Sequence, residues 1–308
     1  MDSLSCALRD TSIFPNTTIG QKTHTTRKDL ETRISLAEFG QIGYYTIIYG
    51  AKGVGKSKIV DEVAKGHKGV VKIALTTANS RADIVKILSM ELLGNEKTFN
   101  EKSLMSAINK SEITPTIIFD VERGGSPDLI IGLQAVRSFA KFFAPYCHCL
   151  IVLSEANAVL EFGNDTHRAN FIFVDEMTFE EAKMLLTNLD FKISDEELRY
   201  IAETIGTGPA MLENLASNQE IMTVTKFVDE VLAQANQDLT AFPYKPILKA
   251  LKEHPEGVPP KYFENTKFKG VDMSNPKAVG TSMKNSNTII YRIECLKYVL
   301  MSTAHRTA

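Results

Sequence analysis

Five short apolar runs, rich in β-branched and aromatic residues, are spaced by segments of helical length: "YYTIIYG" (44–50), "GVVKIAL" (69–75), "PTIIFD" (115–120), "CLIVLS" (149–154) and "FIFVD" (171–175). A strand that alternates apolar and polar residues keeps one face in water, whereas a near-continuous apolar strand keeps neither. Such runs alternating with helices build a parallel sheet covered on both faces, so residues 44–175 are expected to form an α/β core. With 44% hydrophobic and 23% charged residues in 308, the chain has the material for one large core or two to three smaller ones, which excludes a disordered polyelectrolyte.

The strands then stop. "TFEEAKMLLTNL", "SDEELRYIAETIG", "PAMLENLASN" and "TVTKFVDEVLAQANQDL" carry helical patterns, and Thr178 and Ser194 each precede a glutamate three residues on, Glu181 and Glu197, as a capping box requires. In the last segment, "YKPILKALKEH" and "CLKYVLMS" read as helices, "SNPKAVGTSMKN" as helix-like and "NTIIYRI" as a strand, a pattern suggesting a winged-helix module. The first 30 or so residues are Thr-rich and polar, and read as a mobile lead-in or a connection from elsewhere. The expected organisation is a lead-in at 1–35, an α/β core at 36–176, a helical lid at 177–241 and a winged-helix-like module at 242–308.

The formal net charge of -2 hides an asymmetry: from Tyr244 onward there are 11 Lys and Arg against 5 Asp and Glu, and before it 24 against 32. Lys261, Lys267, Lys269, Lys277, Lys284 and Arg292, interleaved with Tyr262, Phe268 and Tyr291, make DNA or another nucleic acid one candidate partner of this end. A protein contact is the other. Four scattered cysteines suit neither a disulfide framework nor a zinc site, Arg9 and Asp10 interrupt any signal-peptide core, and no apolar run approaches the roughly 20 residues that span a bilayer. The expected setting is cytoplasmic or nuclear, without a membrane.

"GAKGVGKS" satisfies G-x-x-x-x-G-K-[ST] and lies between the first strand and a helix. Glycines let successive backbone N–H groups turn inward on a phosphate chain, and the helix N-terminus adds partial positive charge. Gly50, Ala51, Lys52, Gly53, Val54, Gly55, Lys56, Ser57 and Lys58 are therefore the nucleotide-binding candidates, with Lys56 bridging β- and γ-phosphates and Ser57 ligating magnesium. Asp120 ends a buried apolar strand, where it is expected to reach the magnesium shell; the competing reading is a helix-capping aspartate. Glu122 lies on the same side of an extended strand and is the candidate catalytic base, with Val121 between the two carboxylates. In Cys147-His148-Cys149 adjacent residues of a strand point to opposite faces, and the spacing is not that of a tetrahedral site, so packing is favoured there.

These features, from about Gln41 to Asn218, resemble the additional-strand branch of P-loop ATPases, AAA-like and related to the signal-transducing STAND and archaeal ATPases. The resemblance implies a P-loop NTPase fold of sheet order 5-1-4-3-2, ATP with Mg²⁺, and hydrolysis coupled to conformational change. It also implies a γ-phosphate sensor at Ser154, with Glu155 a weaker candidate, and an arginine, Arg168, facing a neighbouring subunit's nucleotide in a homo-oligomer. Gly206, Gly208 and Pro209 match the glycine-x-proline segment that brings the lid to the nucleotide. Ser154 also reads as an ordinary strand end, Arg168 as a solvated surface residue and Gly208-Pro209 as a helix stop and start. "YTIIYGAKGVGKSKIVDEVAKGHKGVVKIAL" and "YVLMSTAHRTA" look most like ATPase modules of Crinkler and RHS-type proteins. The alternative function is a nucleotide-gated protein- or DNA-binding switch with little turnover. GTP is disfavoured, since "NKSE" at Asn109 precedes Asp120 and lacks the aspartate of NKxD.

Overall fold

The computed structural model describes residues 3–12, 27–39, 42–50, 53–75, 80–93, 99–121, 128–153, 168–240, 281–285 and 288–292. Its centre is a five-stranded parallel sheet of β1 (Tyr45–Gly50), β2 (Val70–Leu75), β3 (Thr116–Val121), β4 (His148–Leu153) and β5 (Ala169–Val174). The spatial order is β2-β3-β4-β1-β5, the arrangement expected from the sequence. All six residues of β1 and of β4 are buried, which explains why these runs are apolar throughout.

Alternation along the strands divides the core. Ile48, Val70, Ile118, Leu150, Val152, Ile172 and Val174 face α2 (Lys28–Phe39) and α3 (Lys56–Ala64), which contribute Ile34, Ile59, Val60 and Ala64. Residues at the intervening positions, among them Tyr49, Ile73, Phe119 and Ile151, pack against α1 (Ser3–Asp10), α4 (Arg81–Leu93), α5 (Glu101–Lys110) and α6 (Asp128–Phe143). Cys147 and Cys149 lie on this second face with their sulfurs 3.8 Å apart, while alternation turns the buried His148 to the other.

The start of the chain differs from the expected lead-in. Leu4 and Leu8 of α1 are buried in the main core, the Ser5 hydroxyl donates to the Ala107 carbonyl at 3.3 Å, and the Gly69 amide donates to the Thr11 carbonyl at 2.7 Å. Leu4, Ser5 and Leu8 have the three- and four-residue spacing of one helix face. The polar stretch that follows masked that short signal.

Beyond β5, α7 (Phe179–Asn188), α8 (Asp195–Thr204), α9 (Pro209–Ser217) and α10 (Val224–Thr240) surround their own core of Leu185, Leu186, Leu198, Ile201, Leu212 and Val228. Both capping boxes form: Thr178 with Glu181 and Ser194 with Glu197. Further on, β6 (Thr281–Asn285) pairs antiparallel with β7 (Thr288–Arg292). β7 lies within the run expected as a strand, but β6 replaces the end of the helix-like "SNPKAVGTSMKN"; antiparallel pairing with β7 overrides its local preference. The other elements expected in 242–308, with Lys261, Tyr262, Lys267, Phe268, Lys269 and Lys277, lie outside the described residues, whereas Lys284 is on β6 and Tyr291 and Arg292 are on β7.

Candidate nucleotide site

The loop opens at the carboxyl end of β1, which is flanked by β4 and by the edge strand β5. Gly50 closes the strand against β5, where a Cβ would lie 2.1 Å from the Val174 carbonyl oxygen, so no larger residue fits without moving backbone. Gly53 and Gly55 take φ of 85° and 88°, the left-handed region that glycine enters without the Cβ penalty. Val54 points down into the core between them, 2% exposed. Ala51 and Lys52 lie outside the described residues.

Gly55 is the N-cap of α3, so the amides of Lys56, Ser57 and Lys58 form its first turn, where backbone N–H groups lack helical partners and attract anions. Lys56 is 4% exposed and its ammonium donates to the Gly50 carbonyl at 3.0 Å, tying the end of the loop to its beginning. The Ser57 hydroxyl donates to Asp120 Oδ1 at 3.2 Å. The sequence-predicted loop and strand-end carboxylate, 63 residues apart, therefore meet in space. A hydroxyl and a carboxylate converging beside a helix N-terminus are hard oxygen donors, the set that suits Mg²⁺ shared with phosphate oxygens and does not suit a soft metal.

Lys58 turns toward the helical subdomain, its ammonium 3.3 Å from Glu213 of α9. Its side chain is thus directed to the helical subdomain, while its amide belongs to the first turn of α3. Pro209, the first residue of α9, lies over the loop, with its Cγ 3.8 Å from a Cβ placed on Gly55. The Ala210 amide donates to the Gly53 carbonyl at 3.1 Å. Gly206 has φ of 88° and Gly208 caps α9, so the glycine-x-proline segment turns the chain and aims a helix N-terminus at the loop.

Arg168 is exposed and immediately precedes β5, where its carbonyl accepts the amide of Tyr45 at 3.2 Å. Tyr45 begins β1 and Gly50 ends it, so Arg168 is at the opposite end of the parallel sheet from the loop, about 17 Å along the strands. Glu122, Ser154 and Glu155 lie outside the described residues.

Two groups at the site escaped the sequence reading. Arg27, 8% exposed, donates to the Glu176 carbonyl at 2.9 Å and the Val54 carbonyl at 3.4 Å, and its Nε lies 3.3 Å from Glu181 of α7. It joins the loop, the end of β5 and the lid. Lys72 of β2 places its ammonium 2.7 and 2.9 Å from the two oxygens of Asp61 on α3 and 3.1 Å from Asp120 Oδ2. Burial works against its charge, but the hydrogen bonds and attraction of Asp61 and Asp120 outweigh that and hold its pKa above the ordinary lysine value. The signal was present, since a lysine inside "VVKIAL" needs a partner when the strand is buried.

The chain is similar in structure to the Walker-type ATPase of Pyrococcus abyssi, at 13% identity and a TM-score of 0.53, over 91% of this chain and 97% of that one. The two chains share a fold. Also similar are a signal transduction ATPase with numerous domains (STAND) protein with a tetratricopeptide-repeat sensor from Pyrococcus horikoshii (15% identity, TM-score 0.45, 95% of this chain and 43% of that one) and Drosophila ORC bound to DNA (12%, 0.41, 99% and 79%). None of the three is described as a Crinkler or RHS-type protein. No family model and no curated protein matches the sequence.

Proposed function

We propose that this chain binds ATP with Mg²⁺ and hydrolyses it, coupling the cycle to movement of the helical lid against the α/β core. The observation that carries this is the hydrogen bond from Ser57 to Asp120 next to Lys56, which is tied back to Gly50 at the end of β1, with the first turn of α9 resting on the same loop. The loop amides and the Lys56 ammonium hold the phosphate chain. Ser57 and Asp120 would hold magnesium, which would supply positive charge against the phosphate oxygens.

Glu122 takes a proton from the attacking water, the water oxygen bonds to the γ-phosphorus, and the bond from that phosphorus to the bridging oxygen breaks, releasing ADP and phosphate. Ser154 contacts the γ-phosphate in the same reading. Release removes the contact that Pro209 and Ala210 sense above the loop, and the lid moves. Arg168, remote from its own loop, serves the nucleotide of a second copy in a homo-oligomer.

Lys56→Ala tests the site: nucleotide binding is expected to vanish from a folded protein, and unchanged affinity overturns the assignment. One feature favours a second reading, a nucleotide-gated switch with little turnover: Val121, buried in the core, stands directly after Asp120, where many hydrolysing members of the class that the sequence resembles carry glutamate. Phosphate release equal to that of Glu122→Gln selects the switch. The basic C-terminal module is proposed to contact protein or DNA, and DNA binding that is absent or indifferent to salt removes the nucleic-acid option. Among the described residues no helix is long and apolar enough to cross a membrane.

A further inference from the structure

We infer that Lys72 is a positioning residue for the metal site, fixing the Asp120 carboxylate toward Ser57 while Asp61 holds Lys72; this rests on reading Ser57 and Asp120 as the magnesium pair. The two oxygens of Asp120 have different partners. Oδ1 accepts the Ser57 hydroxyl at 3.2 Å and Oδ2 lies 3.1 Å from the Lys72 ammonium. A carboxylate held at both oxygens cannot rotate without losing one of them, so the ammonium on one side sets the direction of the other.

The supporting frame is rigid. Lys72 and Asp120 arise from adjacent paired strands, β2 and β3, on the face covered by α3. Asp61 lies on α3, one turn beyond Ser57, and its two oxygens sit 2.7 and 2.9 Å from the same ammonium. One cation therefore bridges the helix that carries Ser57 and the strand that carries Asp120.

The charge count matters as much as the geometry. A lysine paired with Asp120 alone would cancel the charge that draws a divalent cation, whereas one shared with Asp61 leaves a net negative charge on the cluster. Without the ammonium, two carboxylates on facing elements would repel, and Asp120 would leave Ser57. Asp61 thus keeps Lys72 in place and keeps it from neutralising Asp120.

The test titrates a fluorescent ADP analogue against the full chain in EDTA and across a Mg²⁺ series. Lys72→Met is expected to bind as wild type in EDTA and to need roughly 10- to 100-fold more Mg²⁺ for half of the metal-dependent tightening. Lys72→Arg is expected to recover most of that response, and Asp61→Asn to shift it the same way by less. A folded Lys72→Met with the wild-type Mg²⁺ midpoint overturns the inference; should that variant not fold, an unshifted Asp61→Asn does so. Ser57→Ala separates the two levels. If its Mg²⁺ response equals wild type, the metal pair itself is wrong, whereas a shifted Ser57→Ala beside an unshifted Lys72→Met removes the role of Lys72 alone.

Discussion

The amide of Ala210 donates to the carbonyl of Gly53 at 3.1 Å, so the first turn of α9 is seated on the glycine-rich loop itself. A Cβ at Gly53 would stand 3.0 Å from that of Ala210, and the backbone there is left-handed, with φ of 85°. Gly53→Ala is expected to cost about 1–3 kcal/mol, from strain plus crowding. Urea unfolding measures the loss, and hydrogen exchange should show the α9 amides opening first. An unchanged exchange pattern would mean that the lid does not rest there.

Arg27 carries three connections from a buried position, to Val54 on the loop, Glu176 after β5 and Glu181 on α7. Arg27→Met keeps much of the packing volume and removes all three. The expected cost is about 2–4 kcal/mol, because two carbonyls and a partly buried carboxylate lose their partner. Calorimetry should resolve core and lid as separate transitions in the variant; a single unshifted transition contradicts the linkage.

The capping box at Ser194 makes the lid sensitive to acid. The Glu197 carboxyl is held below the ordinary glutamate value of 4.5, chiefly by the Ser194 amide and then by its hydroxyl, with burial opposing. A pKa lowered in the folded state gives stability that is present above the unfolded value and is lost as pH falls through the folded one. Thermal melts should therefore decline below pH 4.5 in a way that Glu197→Gln flattens. Ser194→Ala should cost about 1 kcal/mol at neutral pH.

Arg168→Ala should leave nucleotide affinity unchanged and lower hydrolysis roughly 10³-fold or more, as loss of an arginine supplied in trans does. Mixing it with Lys56→Ala, which keeps its own Arg168 but holds no nucleotide, should restore part of the rate. Full activity of Arg168→Ala at every protein concentration would return that arginine to the solvated surface.

Much of the core was legible because its signals are local. β1 to β5 are apolar runs, buried throughout in β1 and β4 and in part in the edge strands β2 and β5, and Thr178 and Ser194 announce their helices within four residues. Lys56 and Ser57 were legible because the loop chemistry is written in one stretch. Arg27 was not, since its meaning depends on Glu176, 149 residues away, and nothing nearby distinguishes it from a surface arginine. Lys72 is intermediate: its anomaly is local, but its partners Asp61 and Asp120 come from a helix and a strand that only the fold brings together. β6 was misread because its pairing with β7 and not its own residues decides its conformation.

Gly50 shows that a motif can be spelled by more than one author. Its side chain is forbidden by the Val174 carbonyl of the neighbouring strand, a constraint that contains no phosphate. A sheet built this way would need glycine there for as long as β5 stayed beside β1, whether or not a nucleotide ever bound. The first letter of the loop is therefore a record of sheet construction, and the proposed chemistry has to be traced through Lys56 and Ser57 instead.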